Sequence, residues 1–365
     1  MKKATNSIEI EPGTRVLDLM VGPNIGKGAF GEIYSAVDTK TGILWALKTE
    51  SNKAKKKTLQ FEYQILSQVQ SSPFFPRLGF FGKTKEFAFF SMEWLGPSLT
   101  SILKHFGRPN FCFSTALRSV YCILKCIESF HSFGFVHRDI KPGNILTREG
   151  SDHPLCLIDF GLSRVYVNPN TGQHLQPRKH VGFRGTRAYA SIDAHESRDL
   201  SRKDDLISWF YITYEFLVGV LPWRHETDKN QILTCKKKFN IKAAVEYTIP
   251  ELYEIWEHIS SLDFFDAPNY SFIYHKLTEI AKNKNVSFSE PLEWSDYLRQ
   301  CRKNVTIQIK NIQISRDLPI IGVNHRDSDL NSIDVPLLRP NITVAAPFSQ
   351  TTETENCCNC LCCLC

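Results

Sequence analysis

His137-Arg138-Asp139-Ile140-Lys141-Pro142-Gly143-Asn144, followed by Asp159-Phe160-Gly161, is the stretch whose reading decides the fold. It gathers an acid able to accept a proton, a lysine, an amide and a second acid. Transfer of a phosphoryl group from ATP needs those groups and little covalent chemistry from the protein. A substrate hydroxyl needs a positioned carboxylate, and Asp139 is the candidate. Two Mg2+ ions need oxygen ligands, and Asn144 and Asp159 are the candidates. Charge on the moving group needs a nearby cation, which Lys141 can supply.

Upstream, Gly26-Lys27-Gly28-Ala29-Phe30-Gly31 fits G-x-G-x-x-G. Dinucleotide-binding folds use the same letters, but they need a helix after the glycines. Here Ile33-Tyr34-Ser35-Ala36-Val37 follows, then Thr41-Gly42, then Ile43-Leu44-Trp45-Ala46-Leu47. That pattern predicts strand, turn, strand. A glycine-rich hairpin can lie over a triphosphate and offer it backbone N–H groups. Lys48 closes the second strand and is the candidate for pairing the α- and β-phosphates. Glu62 lies in Leu59–Leu66, whose apolar spacing is helical, and is the candidate partner for Lys48.

Taken together, these segments resemble a eukaryotic protein kinase, and within that superfamily the casein kinase 1 group. Met92-Glu93-Trp94-Leu95-Gly96-Pro97-Ser98-Leu99 resembles that group's hinge. Gly185-Thr186-Arg187-Ala188-Tyr189-Ala190-Ser191-Ile192-Asp193 stands where most other kinases carry Ala-Pro-Glu. The group has Ser-Ile-Asn there, so Asp193 departs from it. Val181–Thr186 and Ser260–Phe265 lean toward the tau-tubulin kinase branch. The resemblance implies an α+β, bilobal protein kinase fold, with a β-rich small lobe and a mainly helical large lobe. It implies ATP and Mg2+ as cofactors, and protein Ser/Thr hydroxyls as substrates. Adenine is expected against Ile25, Ile33, Ala46 and Leu146, with Met92 guarding the back pocket and Glu93 and Leu95 at the hinge. With Gly26, Gly28, Gly31, Lys48 and Glu62 these make the expected nucleotide site. Thr186 is expected to touch Asp139 and Lys141. Arg138 has no assigned role. The family's phosphate-holding arginine falls one place early here, as Arg187, with Ala188 in the family position. Arg184 and Lys238 are the other candidates for a substrate anion site, which would favour acidic or pre-phosphorylated substrates. The second reading is a kinase-shaped scaffold that binds nucleotide and recruits partners without transferring phosphate.

The expected domains are an N-terminal extension over 1–17, a kinase domain over 18–297 and a mostly disordered tail over 298–365. Within the domain, the small lobe takes 18–91, the hinge 92–98 and the large lobe 99–297. Residues 114–133 carry apolar side chains at helical spacing, as do Leu206, Phe210, Tyr214 and Leu217. Asp205 can cap that second helix, and the resemblance implies that it also hydrogen-bonds the catalytic-loop backbone. Val305-Thr306-Ile307-Gln308-Ile309 reads as a strand with nothing to pair with.

With 365 residues and 42% of them hydrophobic, the chain can bury a large core. A net charge of +6 is mild for this length and argues against nucleic-acid binding, which needs a concentrated basic face. The run Lys53–Lys57 reads as a solvated loop. No apolar stretch is long enough to span a bilayer. Met1–Ser7 has no apolar core for a signal peptide and no Gly at position 2 for myristoylation. Cys112, Cys122, Cys126, Cys156, Cys235 and Cys301 show no C-x-x-C spacing and read as free thiols. The chain ends Cys357-Cys358-Asn359-Cys360-Leu361-Cys362-Cys363-Leu364-Cys365. Palmitoylation, prenylation and a thiolate metal site all fit those six cysteines. Pro340–Asn356 carries no Lys or Arg, so an acyl anchor would need two or more chains. The expectation is a cytoplasmic protein, peripheral on the cytosolic face of a membrane through a lipidated C-terminus, with the nucleus as a further compartment. Its catalytic domain is expected to be monomeric.

Overall fold

The computed structural model of the chain describes residues 9–27, 31–179, 181–312 and 320–321. Its first part is built by period-2 alternation. β1 (Arg15–Val16), β2 (Leu19–Lys27), β3 (Glu32–Asp38) and β4 (Leu44–Ser51) run antiparallel to one another. The β3–β4 turn forms where the sequence placed it. Asp38 accepts the N–H groups of Lys40 and Thr41, and Gly42 takes φ +72°, which favours glycine. α1 (Leu59–Gln68) follows, then β5 (Leu78–Lys83) and β6 (Phe87–Glu93). Successive side chains point to opposite faces. Leu47 and Phe89 join Val21, Tyr34 and Ala36 on one face. Ala46, Phe90 and Met92 pack on the other, with Leu59, Ile65 and Leu66 of α1.

The large lobe is helical. α2 (Leu99–Phe106) is capped by Ser98 and ends at Gly107. α3 (Phe113–Ser132) matches the expected helix within a residue at each end. Short strands β7 (Phe135–Val136), β8 (Ile145–Thr147), β9 (Leu155–Leu157) and β10 (Arg164–Val165) pair as β8–β9 and β7–β10. They fix both ends of the two decisive loops. α4 (Ile192–His195) leads to α5 (Arg202–Leu217), which is buried on nearly every side. A helix buried all round serves as a core axis. Trp209 of α5 donates to the Val120 carbonyl of α3 and locks the two together. α6 (Lys229–Lys238), α7 (Ile241–Val245), α8 (Glu251–Ser261) and α9 (Tyr270–Asn283) surround that pair.

The strand expected over 305–309 is a helix instead. α10 (Ser295–Lys310) runs straight across the expected boundary at 297. Leu298 and Ile309, three helical turns apart, are the buried positions. Leu298 packs beside Gly96 in the hinge, and Ile309 reaches Gly22 of β2, where an added Cβ would come within 3.2 Å of its Cγ1. Burial at both ends outweighs the β-branched preference of Val305, Thr306 and Ile307, whose intrinsic scale is weak. β11 (Ile320–Ile321) pairs parallel with β1, completing a seven-stranded sheet in the order β11-β1-β2-β3-β4-β6-β5. Among the described residues, no helix is long and apolar enough to cross a membrane.

The helical register makes a prediction. Ile309 is 4% exposed and Ile307 55%. Ile309→Ala should cost about 2–4 kcal/mol. Ile307→Ala should leave the denaturation midpoint nearly unchanged, whereas a strand would have placed both residues on one face. Denaturant melts of the two variants check this.

Candidate active site

The catalytic loop hangs from α5. Asp205 in the first turn of that helix accepts the backbone N–H of His137 at 2.6 Å and of Arg138 at 2.7 Å. Its Oδ2 also lies 2.9 Å from His131 Nε2. The other ring nitrogen of His131 lies 2.5 Å from the Tyr270 hydroxyl. Burial lowers the His131 pKa, so the ring is neutral and bridges Tyr270 to Asp205. Burial works against ionisation of Asp205, but His131 and the loop amides outweigh it and lower its pKa. Of the two roles considered for Asp205, the structure realises the loop-holding one: the helix cap is made instead by Asp204, whose Oδ2 accepts the Ser201 backbone N–H at 2.8 Å.

That anchorage places the acid. Asp139 Oδ1 accepts from the Thr186 hydroxyl at 2.8 Å, and its Oδ2 from Lys141 Nζ at 2.7 Å. Lys141 Nζ also reaches Thr186 Oγ1 at 3.0 Å. Asn144 Nδ2 donates to the Asp139 carbonyl at 2.9 Å. Its amide oxygen is thereby turned away from Asp139, as a candidate metal ligand. The structure thus brings Asp139, Lys141, Asn144 and Thr186 into one cluster.

The small lobe supplies the facing half. Gly26, Ile33, Lys48 and Phe90 lie in register across β2, β3, β4 and β6, and Ala46 pairs with Met92. Opposite residues in antiparallel strands share a face, which puts Ile33, Ala46, Lys48 and Met92 on the side toward the large lobe. Lys48 Nζ lies 2.6 Å from both Glu62 oxygens and 3.6 Å from Asp159 Oδ1. Burial opposes the charge on Lys48, but Glu62 and Asp159 hold its pKa above the usual lysine value. Burial likewise opposes ionisation of Asp159, and Lys48 and other nearby cations lower its pKa. Phe160 is buried against Phe75, Phe130 and His137, which aims Asp159 into the cleft.

Other nucleotide candidates are placed as follows. Ala46, Met92 and Leu95 are buried, Leu146 on β8 is half-buried, and Ile25 is exposed at the rim. Gly31 is demanded by β4, because a Cβ there would meet the Thr49 carbonyl oxygen at 1.6 Å. Gly28 lies outside the described residues. Glu93 turns its side chain away from the nucleotide face. Its carboxylate pairs with Arg148 at 2.8 and 3.0 Å and accepts from the Arg77 N–H. Its backbone N–H is also taken, by the Arg77 carbonyl at 2.7 Å.

The three anion candidates do not form one cluster. Arg187 donates to the Thr227 carbonyl at 2.7 Å, and Lys238 is exposed on α6. Arg184 lies instead in the electrostatic neighbourhood of Arg138, Arg164 and Arg178. Burial and those arginines lower the Arg138 pKa to about 9. Arg164 and Arg178 pair with buried Asp199. The sequence reading missed Asp199, His131 and Lys236. Lys236 had a signal: it follows buried Ile232 by one helical repeat, while the reading chose Lys238 from the same lysine run. The terminal cysteines 357, 358, 360, 362, 363 and 365 lie outside the described residues.

The protein kinase domain model matches residues 19–294. The chain belongs to that family. A probable serine/threonine-protein kinase of Dictyostelium discoideum is 35% identical over 272 residues, which are 74% of this chain and 55% of that protein. The chain thus matches about half the length of that relative. The bilobal α+β fold is that of the family.

Thr186→Val tests the cluster. It removes the hydroxyl bridging Asp139 and Lys141 while keeping the shape of the side chain. If the cluster moves protons, activity should fall by roughly 10- to 100-fold, in kcat more than in the KM for nucleotide. Steady-state kinetics on the full chain reads this out.

Proposed function

We propose that the chain is an ATP- and Mg2+-dependent serine/threonine protein kinase of the casein kinase 1 type, on the tau-tubulin kinase-like branch. The observation that carries the kinase reading is the Asp139–Lys141–Thr186 cluster facing the Lys48–Glu62–Asp159 ion triplet, while the branch rests on the segments Met92–Leu99, Val181–Asp193 and Ser260–Phe265. Asp139 orients a Ser or Thr hydroxyl and receives its proton. Lys141 balances negative charge beside it. Lys48, held by Glu62, binds the nucleotide phosphates. Asn144 and Asp159 offer two oxygen ligands for Mg2+, which would neutralise phosphate charge when bound. Among the described residues, no three His, Cys, Asp or Glu side chains converge on a point. A pair of oxygen ligands suits a cation that completes its shell with phosphate and water.

The scaffold reading is weaker, because it gives no reason for a proton-accepting cluster opposite an intact ion triplet. Phosphoryl transfer from labelled ATP to casein by the full chain decides between them. The Asp139→Asn variant is the control. Transfer should be lost by orders of magnitude in the variant. Bound nucleotide without transfer in either protein would favour the scaffold.

A preference for acidic or pre-phosphorylated sites is the substrate reading, and with Arg187 held by the Thr227 carbonyl and Lys238 apart on α6 its support is Arg184, in the basic group with Arg138, Arg164 and Arg178. A peptide array showing no gain from upstream acid or phosphate would remove it. The tail reading is acylation of Cys357, Cys358, Cys360, Cys362, Cys363 and Cys365, placing the protein on the cytosolic face of a membrane. It rests on six cysteines within the last nine residues and on the two-anchor requirement. Cells fed an alkyne palmitate analogue should label the chain, and hydroxylamine should release the label. A hydroxylamine-resistant isoprenoid label would mean prenylation, and bound zinc without label a metal site.

A further inference from the structure

Lys236 on α6 is a buried cation that neither the catalytic cluster nor the candidate anion site uses. It is 5% exposed. Its Nζ donates to the carbonyl of Arg187 at 2.8 Å and of Ala190 at 2.5 Å. It stands 4.9 Å from the ring centroid of Tyr211 and 5.2 Å from that of Trp223. Among the described residues, no carboxylate lies within ion-pair distance of it. His195, from α4, lies 3.4 Å away and itself bonds the Arg187 carbonyl at 3.2 Å. We infer that Lys236 is the positioning residue that holds segment 187–190 in the shape that presents a protein substrate to Asp139. The inference rests on the kinase reading above.

Three observations carry it. First, segment 187–190 lies in turn and irregular backbone, so its carbonyls depend on donors from elsewhere. Lysine has three donors and no acceptor, and here one ammonium serves two carbonyls across the segment. Second, the neighbouring groups are fixed as well. Trp223 Nε1 donates to the Ala188 carbonyl at 2.7 Å, and the Tyr189 hydroxyl meets Glu215 at 2.5 Å. Lys236 completes this floor at both ends. Third, the arrangement is costly. Burial alone pulls the Lys236 pKa down to about 7, with no carboxylate to restore it. The two aromatic faces give part of that back. Thr186, which touches Asp139, directly precedes the held segment. A shift in 187–190 therefore moves the peptide relative to Asp139, while Lys48, Glu62 and Asp159 stay where they are.

Lys236→Met in the full chain keeps the length of the side chain and removes every donor. Lys236→Gln keeps donors without the charge and serves if the methionine variant does not fold; thermal melting establishes which variants do. Two readouts follow. Amide hydrogen exchange across 186–191 should speed up in the methionine variant, while exchange in β4 and α1 stays as in the parent. The KM for casein should rise about tenfold or more with the KM for ATP nearly unchanged, since small misplacements of a reactant are expensive. Unchanged exchange, or the two KM values rising together, would overturn the inference. If the parent chain transfers no phosphate, the functional reading falls, and the exchange measurement still decides whether Lys236 holds the segment.

Discussion

One carboxylate carries the geometry of the large lobe. Asp205 accepts two adjacent backbone N–H groups and faces the His131 ring, all inside the core. Those bonds hold Arg138 at φ +68°, a conformation that costs a non-glycine residue on the order of 1–3 kcal/mol. Hydrogen bonds to a charged acceptor are worth roughly 1.5–3 kcal/mol each, so the amides offset the strain. Without that anchor the loop would relax, and Asp139 would leave Thr186 and Lys141. Tyr270 extends the chain of bonds to α9. A hydroxyl on an outer helix thus fixes a neutral histidine, the histidine orients an acid, and the acid shapes the loop.

The second constraint spans the lobes. Lys48 and Glu62 come from the small lobe and Asp159 from the large one. Two of the three are fully buried, and breaking such a pair by removing one partner costs about 3–5 kcal/mol. Phe160 couples the triplet to the core, because its ring fills the space between Phe75, Phe130 and His137. Behind the hinge, Arg148 binds Glu93 and also the carbonyls of Pro73 and Phe75. α10 runs outside that hinge from Leu298 to Ile309. The lobes are therefore joined in front by charge and behind by a guanidinium and a helix.

Local chemistry was legible in the sequence, and long-range geometry was not. Asp139, Lys141 and Asn144 sit within one loop, so their spacing nearly dictates their proximity. Lys48 and Glu62 were legible because a strand followed by a helix leaves few ways to bury both. The Glu93 side-chain contact was not legible, because its partner, Arg148, is distant in the chain. Val305–Ile309 was misleading for a similar reason. Its β-branched residues favour a strand locally, and burial of Leu298 beside Gly96 and of Ile309 beside Gly22 makes a helix worthwhile. Lys236 hid in a run of three lysines. Exposure separates it from Lys237 and Lys238, and exposure depends on Tyr211 and Trp223, which a lysine run does not announce.

The two halves of the site are built on different principles. The nucleotide half depends on an ion triplet whose members belong to both lobes, so a change in lobe separation alters it directly. The half around Asp139 is made within the large lobe alone. Asp205 holds the catalytic loop, while Trp223 and Lys236 hold the segment after Thr186, and all three sit on or beside α5. Relative motion of the lobes would therefore open the phosphate side while the acid and the substrate segment keep their mutual geometry. That division explains where the chain tolerates unpaired charge. Lys48 shares its burial with two carboxylates where the two lobes meet. Lys236 is buried without one, in a place that only needs to stay still.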